Sequence, residues 1–174
     1  MRLSIAIPTF GYTGSGKEFL DYLFRTIEIQ TFKDFEVVVS DHSKDEKLVD
    51  VIDSFKSKFD IKYIKNKNRL ENGPANTNNA IRNCSGEIIK VMFQDDFFYD
   101  SQALKKIYDS FDDAHDWLVC GSNHTKNNGK SFYRNIYPKW NNRIIKGVNT
   151  ISSPSVMAAK KKVFDQIKFD ESLV

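Results

Sequence analysis

The chain has 174 residues, of which 40% are hydrophobic and 13% aromatic, so it can bury a core and forms one domain or a large part of one. Its 28% of charged residues is ordinary for a globular protein and excludes disorder, collagen and coiled coil as descriptions of the whole chain. The net charge of +3 is spread along the sequence without a basic face of interleaved Arg and aromatic residues, which excludes nucleic acid as the partner.

Segments with the apolar spacing of strands alternate with segments that have the apolar spacing of helices along the first two thirds of the chain. Apolar and β-branched runs predict strands at 3–7, 36–40, 61–64, 87–93 and 117–121. Apolar residues spaced three and four apart predict helices at 17–30, 45–59, 75–83 and 101–111, the last with Ser101 as its N-cap. This alternation predicts an α/β fold, a Rossmann-like α/β/α sandwich with a mostly parallel central sheet.

The composition and the apolar periodicity of the sequence change after residue 121. Residues 122–149 are rich in Asn, Lys, Gly and Tyr, and the turn signal at 127–129 predicts a polar hairpin or an active-site loop. A strand at 155–159 and a helix at 160–167 follow. We therefore expect two halves of one domain, residues 1–121 and residues 122–174.

Polar residues follow the predicted strands, and ligands of parallel sheets bind beyond the carboxyl ends of the strands. Asp95 and Asp96 follow the fourth strand, where two adjacent carboxylates repel each other unless a cation lies beside them. A divalent ion with oxygen ligands, Mg²⁺ or Mn²⁺, meets that need, and a solvated turn is the alternative. Asp41 follows the second strand and could accept a hydrogen bond from a base or a ribose, or cap the next helix.

A second pattern favours a different class of protein. Gly11 to Lys17 fits the spacing of a phosphate-binding P-loop between a strand and a helix. Glu18 stands where magnesium needs a hydroxyl, and Pro8 interrupts the strand that should lead into the loop. A flexible glycine turn explains the stretch better, and the P-loop NTPase stays as an alternative.

Five segments together resemble the family 2 glycosyltransferases of the GT-A fold, in the family's order and at its spacing. They are 4–11 (SIAIPTFG), 30–41 (QTFKDFEVVVSD), 73–81 (GPANTNNAI), 86–96 (GEIIKVMFQDD) and 162–171 (KVFDQIKFDE). The resemblance spans nearly the whole chain. It implies an enzyme that moves a sugar from a UDP-sugar to an acceptor hydroxyl, with inversion, in the synthesis of a cell-surface polysaccharide or glycan.

The resemblance also implies roles for individual residues. Thr9, Phe10 and Asp41 would hold the base, Asp95 the ribose, and Asp96 the Mg²⁺ or Mn²⁺ on the diphosphate. The nucleotide contacts would also include Pro8, Ser43 and Asn79. On the side of the acceptor, a saccharide or lipid-linked saccharide, the candidates are Trp140, Ser153 and Ser155, with Tyr133 and Tyr137 as further rings that could stack on a sugar or fill the core.

The sequence departs from the family pattern inside two of these segments. Asn78 replaces an Arg, so a positive contact could come instead from Arg69, Arg82 or Lys90. Phe93 replaces the first Asp of the acidic motif, which leaves the last two carboxylates.

The third departure concerns the catalytic base. The resemblance implies a base in a Glu-Asp motif that follows the segment ending at Glu171, and no such pair stands between Glu171 and Val174. We therefore expect the base beyond Val174, in a chain truncated before it. A donor-binding fragment or degenerate subunit without transfer is the alternative.

The remaining candidates are weaker. The sequence predicts a cytoplasmic protein, because the run at 3–7 is too short for a signal peptide and no run approaches the roughly 20 apolar residues of a spanning helix. Cys84 and Cys120 suit reduced core thiols. The three histidines are expected at the surface or in loops: His42, His115 and His124. The lysines at 160–162 predict a solvated helix start, and peripheral contact with the inner face of the membrane is the alternative.

Overall fold

The computed structural model of the protein describes residues 2–11, 15–68, 71–126, 131–139, 142–143, 146–147 and 149–173. Its strands are β1 (Leu3–Thr9), β2 (Phe35–Asp41), β3 (Asp60–Lys65), β4 (Ile88–Val91), β5 (Trp117–Val119), β6 (Ser122–Lys126), β7 (Ser131–Ile136) and β8 (Met157–Lys160). Its helices are α1 (Gly16–Glu28), α2 (Val49–Phe55), α3 (Gly73–Arg82), α4 (Ala103–Asp109) and α5 (Lys161–Gln166).

The central sheet is six-stranded, in the order β3-β2-β1-β4-β8-β5. The pairs β1–β2, β2–β3 and β1–β4 are parallel, whereas β8 runs antiparallel to both β4 and β5. The mostly parallel sheet predicted from the sequence is therefore confirmed. The predicted polar hairpin is also present, as the antiparallel pair β6–β7 with a register shift between His124 and Thr125.

Both faces of the sheet are covered, as an α/β/α sandwich requires. The alternation of side chains along β1 sends Leu3, Ile5 and Ile7 to one face, where they pack with apolar residues of α1, α2 and α4. Ala6 points to the other face, whose core includes Ala80 of α3 and residues of α5. The strands of the sheet interior are buried on both sides, which explains their continuous apolar runs.

Several predicted boundaries are wrong, and a contact between distant residues explains one of them. Helix α2 is shorter than predicted and begins only at Val49, whose amide donates to the Glu46 carbonyl at 3.0 Å in the turn before it. Strand β4 ends early because the Phe93 amide donates to Ser155 Oγ at 2.8 Å rather than to a neighbouring strand. Ser101 does not cap α4, because the helix begins at Ala103 and its N-cap residue is Gln102; the Asp100 carboxylate accepts from the Gln102 amide at 2.9 Å.

The end of the chain also differs in detail from the prediction. Residues Pro154–Val156 form a 3₁₀ turn, in which the Ser155 amide donates to Ser153 Oγ, and strand β8 begins only at Met157. Helix α3 begins at Gly73, with Pro74 in the first turn and Asn72 as N-cap: the Ala75 amide donates to Asn72 Oδ1 at 2.7 Å.

A buried glutamate joins the amino-terminal ends of three strands. Glu36 Oε1 accepts hydrogen bonds from Ser4 Oγ at 2.6 Å, from Ser85 Oγ at 2.8 Å and from the Ser85 amide. Burial opposes ionisation of Glu36, but these hydrogen bonds outweigh it and lower the pKa of the carboxyl. The charged form is therefore the one that holds β1, β2 and the start of β4 together.

Replacing this carboxylate with an amide tests its contribution to stability. Glu36→Gln should lower the free energy of unfolding by about 1–3 kcal/mol at pH 7, because bonds to a charged acceptor become neutral ones. Urea denaturation measures this. Because the folded pKa is lowered, the advantage of the wild type should shrink as the pH falls below the ordinary glutamate range. The exposed Glu46→Gln is the matched control and should change stability by less than about 0.5 kcal/mol. Equal effects of the two substitutions would contradict the assignment.

Candidate functional site

The amide of Asn76 ties together the carboxyl ends of β1 and β2. Asn76 is buried in α3, and its Nδ2 donates to the Thr9 carbonyl at 3.1 Å and to the Ser40 carbonyl at 2.9 Å. Its Oδ1 accepts from Ser40 Oγ at 2.6 Å. Asn79, one turn later, donates to Ser40 Oγ at 2.8 Å and accepts from Arg82. Helix α3 therefore fixes where the two strands end.

Gln94 fixes the loop after β1 in the same way. The Phe10 amide donates to Gln94 Oε1 at 2.8 Å, and Gln94 Nε2 donates to the Phe10 carbonyl at 2.9 Å. The Gly11 amide donates to Ser43 Oγ at 2.7 Å. A Cβ at Gly11 would lie 2.9 Å from that oxygen, so the close approach needs glycine. The loops after β1, β2 and β4 are thus held together by side chain–backbone hydrogen bonds.

Asp41 lies behind this edge and is fully buried. Its Oδ1 accepts from the Ser43 amide at 2.7 Å, and its Oδ2 accepts from Tyr63 Oη at 2.8 Å and Lys65 Nζ at 3.1 Å. Burial, together with the hydrogen bond to the negative carboxylate, raises the pKa of Tyr63 well above its ordinary value. In this arrangement the carboxylate of Asp41 organises its own protein neighbours.

Two cavities, each of about 450 Å³, lie beyond the carboxyl ends of the strands. We call the first the β1–β4 cavity. The residues that line it are Pro8, Thr9, Phe10, Phe19, His42, Glu71, Gly73, Asn76, Thr77, Phe93, Gln94 and Asp95. Four of the predicted nucleotide contacts therefore meet here: Pro8, Thr9, Phe10 and Asp95. Asp41, Ser43 and Asn79 are not among the described residues of its wall.

His42 was expected at the surface or in a loop; it lies in the loop directly after β2, but it is buried there, with only 2% of its surface exposed. Its Nε2 lies 3.0 Å from the Asn68 carbonyl oxygen, which can only accept, so this nitrogen carries the proton. Burial lowers the pKa of His42, so the ring is neutral at pH 7. The sequence signal that could have found it is its place directly after the buried strand β2.

We call the second cavity the hairpin cavity, because β6 and β7 form one of its walls. Asp96, Ser153 and Ser155 line it, together with Lys90 and Tyr137. Ser153 Oγ donates to Asp96 Oδ2 at 3.4 Å, while Ser155 Oγ accepts the Phe93 amide.

Some of the predicted positions lie outside the described residues. They are Trp140, Arg69, the turn at 127–129, the side chain of Tyr133, and Val174. The acceptor contact of Trp140 and the catalytic base expected beyond Val174 therefore stay predictions.

The two consecutive aspartates separate the two cavities. Asp95 faces the β1–β4 cavity and Asp96 faces the hairpin cavity. Desolvation and the negative charge of Asp96 raise the pKa of Asp95, as expected for a carboxylate pair without a cation. The described residues contain no cluster of three or more ligands that could hold a metal by themselves. Two carboxylates fit instead a Mg²⁺ or Mn²⁺ ion that completes its shell with ligand phosphates and water.

The residues at the family departures have structural partners. Asn78 holds the segment after α5, because its Nδ2 donates to the Phe169 carbonyl and to Glu171 Oε1, both at 2.9 Å.

The prediction of a solvated lysine run at 160–162 is wrong for two of its members. Lys160 Nζ pairs with Asp116 at 2.9 Å, and Lys161 Nζ donates to the Cys84 carbonyl at 2.6 Å.

A family model described as "Glycosyl transferase family 2" matches residues 4–167. The chain belongs to glycosyltransferase family 2. The matched residues include both the glycine-rich stretch with P-loop spacing and the acidic pair after β4, so one family accounts for both. The P-loop NTPase alternative is therefore dropped. The GT-A fold that the five segments implied is likewise confirmed by solved structures.

Three known proteins are similar to this family 2 chain. The GalNAc(5)-diNAcBac-PP-undecaprenol beta-1,3-glucosyltransferase of Campylobacter jejuni is 31% identical over 96 residues, which are 55% of this chain and 30% of that protein. S. aureus TarS 1-349, solved in complex with UDP, superposes with a TM-score of 0.75 at 20% identity, over 99% of this chain and 51% of that one. A mannosyltransferase from Pyrobaculum calidifontis, with GDP-Man and Mn²⁺, gives 0.60 at 17% identity, over 68% and 35%.

The chain therefore spans about half of the TarS structure and less than a third of the Campylobacter enzyme. Among the residues that the structure describes, no helix is long and apolar enough to cross a membrane.

The two-point contact of Gln94 can be tested by amide exchange. Gln94→Ala should speed hydrogen exchange at the Phe10 amide by at least about tenfold, because that amide loses its acceptor while the rest of the sheet is unchanged. Hydrogen exchange followed by NMR measures this. The exposed Gln166→Ala in α5 is the matched control. Unchanged protection at Phe10 would show that another group holds the loop.

Proposed function

We propose that this protein binds a UDP-sugar and transfers the sugar to an acceptor hydroxyl in the synthesis of a cell-surface polysaccharide or glycan. The observation that carries this proposal is the position of Asp95 and Asp96, in the turn that follows β4 and between two cavities of about 450 Å³ each. The nucleotide would occupy the β1–β4 cavity, and the sugar and its acceptor the hairpin cavity. Residues 1–121 would then form the donor half and residues 122–174 the start of the acceptor half.

The lining of the β1–β4 cavity suits a nucleoside. Phe10, Phe19 and Phe93 offer apolar surface to a base, and the polar residues Thr9 and Thr77 belong to the same wall. Asp95 would accept from the ribose hydroxyls. Asp41, together with Ser43 and Asn79, would act from behind the wall, by holding the strand ends and loops that contact the nucleotide.

Asp96, with Asp95 beside it, would hold a Mg²⁺ or Mn²⁺ ion that the diphosphate also binds. When bound, such an ion neutralises the charge that develops on the departing diphosphate. The chain's own contribution is to fix two carboxylates at the end of a buried strand. Ser153, 3.4 Å from Asp96 Oδ2, keeps one of them oriented.

The transfer itself is a single displacement. The acceptor oxygen forms a bond to the anomeric carbon while the bond from that carbon to the β-phosphate oxygen breaks, and the electron pair leaves with UDP. Attack from the opposite face inverts the anomeric configuration. The acceptor proton passes to a carboxylate base. By the family resemblance that base follows the segment at 169–171, so we assign no base among the described residues.

The similar proteins support the choice of donor and acceptor. TarS 1-349 has been solved with UDP and with UDP-GlcNAc, and the Pyrobaculum enzyme with GDP-Man and Mn²⁺. The name of the Campylobacter relative describes an undecaprenol-linked saccharide as its acceptor. A saccharide or lipid-linked saccharide is accordingly the acceptor that we propose here, with the protein in the cytoplasm or at the inner face of the membrane.

A donor-binding protein without transfer is the second candidate, because we assign no catalytic base among the described residues. The two candidates differ in one measurement. Release of UDP from UDP-sugars in the presence of Mn²⁺ and a saccharide acceptor supports transfer, whereas a thermal shift with UDP and no release supports binding alone.

The aspartate that faces the hairpin cavity provides the test of the metal assignment. Asp96→Asn should weaken UDP binding in the presence of Mn²⁺ by about tenfold or more and should remove the gain that Mn²⁺ gives, because a neutral amide is a poor ligand for a hard cation. Isothermal titration calorimetry with UDP, with and without Mn²⁺, measures this.

The exposed Asp113→Asn is the matched control, since it removes the same charge away from both cavities. It should leave UDP binding and its Mn²⁺ dependence unchanged. If Asp96→Asn bound UDP with the Mn²⁺ dependence of the wild type, the metal would lie elsewhere and the role of Asp96 would be refuted.

A further inference from the structure

Lys90 is a buried lysine whose charge the packing of the sheet does not require. It lies in β4, at the middle of the sheet, and pairs with Ile5 of β1 and Ala158 of β8. Its neighbours on the same face of β4 are Ile88 and Met92, both buried in the core. Only 2% of the surface of Lys90 is exposed. Burying an ammonium group costs free energy that an apolar side chain would not cost.

The protein compensates this charge incompletely. Within the part of the chain that the structure describes, the hydrogen-bond partner of Lys90 Nζ is the Ser155 carbonyl, a neutral group that uses one of three donors. Burial lowers the pKa of Lys90 to about 8, against the favourable influence of Cys120 and Asp96. The group is therefore still mostly charged at neutral pH.

Lys90 belongs to the lining of the hairpin cavity, and aromatic residues line the same cavity. Tyr99, Phe132 and Tyr137 line it while exposing 67%, 48% and 74% of their surfaces. The rings of Tyr99 and Phe132 meet edge to face, with centroids 5.6 Å apart. Exposed aromatic faces beside polar groups suit the apolar faces of pyranose rings.

We propose that the hairpin cavity binds a saccharide that carries a carboxylate, with Lys90 as the counter-ion and the three aromatic rings as the stacking surface. This inference rests on the proposed function, because it assigns the cavity on the Asp96 side of the diphosphate to sugar. The carboxylate has two sources: the transferred sugar, as in UDP-glucuronic acid, or a uronic acid of the acceptor.

A binding experiment with ligands that differ only at one carbon tests the donor source. UDP-glucuronic acid and UDP-glucose differ by a carboxylate in place of a hydroxymethyl group, and UDP alone reports on the nucleotide site. With Mn²⁺ present, the wild type should bind UDP-glucuronic acid at least about tenfold more tightly than UDP-glucose by calorimetry. Lys90→Met should abolish that difference and change the affinity for UDP by less than about twofold.

The acceptor source is tested in parallel. In the presence of saturating UDP and Mn²⁺, ligand-observed NMR compares glucuronic acid with glucose. If the acceptor carries the carboxylate, glucuronic acid should give the stronger signal on the wild type and lose it on Lys90→Met, while the two UDP-sugars bind alike.

Two controls keep the outcomes separate. Lys90→Met should unfold at the same temperature as the wild type or higher, because it replaces a buried charge with an apolar chain of similar length. The exposed Lys33→Met removes the same charge away from both cavities and should alter no preference. The comparison of ligands on the wild type stands even if Lys90→Met does not fold.

Each result decides between the proposals. No preference for the charged sugar in either arm, with UDP bound normally, overturns this inference and leaves the proposed function standing. A loss of UDP affinity in Lys90→Met as large as the loss of UDP-glucuronic acid also overturns it, since the lysine would then serve the diphosphate or Asp96. Failure of the wild type to bind UDP at all refutes the proposed function and this inference with it.

Discussion

Parallel strands that stop at one edge leave backbone amides and carbonyls without ladder partners, and the protein must satisfy them there. Side chains from elsewhere in the chain do so: Asn76 binds the carbonyls of Thr9 and Ser40, and Gln94 binds both polar groups of Phe10. These bonds fix the loops before any ligand arrives. The wall of the β1–β4 cavity is therefore built on a rigid edge, which lowers the entropy that a bound nucleotide would have to overcome.

The sequence predicted the fold wherever a local period was long enough to be unambiguous. Strands β1 and β2, helix α1 and the β6–β7 hairpin all lie where the apolar pattern and the turn signal indicated. The predicted end of β4 failed because a distant side chain bonds a backbone group. The Phe93 amide donates to Ser155 Oγ, and no local pattern contains that information.

The candidate site likewise contains residues whose place the sequence predicted and residues whose partners it could not predict. The acidic pair could be located from its position after a buried strand, because strand ends converge in any parallel sheet. The surroundings of Asp41 could not, since its partners Tyr63 and Lys65 come from the neighbouring strand β3. The role of Gln94 could not be predicted either, because nothing in the sequence indicates that this glutamine bonds the backbone of Phe10.

A negative and a positive side chain, Asp96 and Lys90, line the hairpin cavity, and the charge of each is unfavourable in the free protein. Asp96 and its neighbour Asp95 repel each other without a cation, and Lys90 is buried without a carboxylate bonded to it among the described residues. The two charges compensate each other only in part: the Asp96 carboxylate favours the charged form of Lys90, but the bonded partner of Lys90 among the described residues is the neutral Ser155 carbonyl. A ligand that brings a cation to the aspartates and an anion to the lysine would relieve both at once. Under the two proposals, the free protein holds unfavourable charge that binding would release, and the position of that charge would set the selectivity for the ligand.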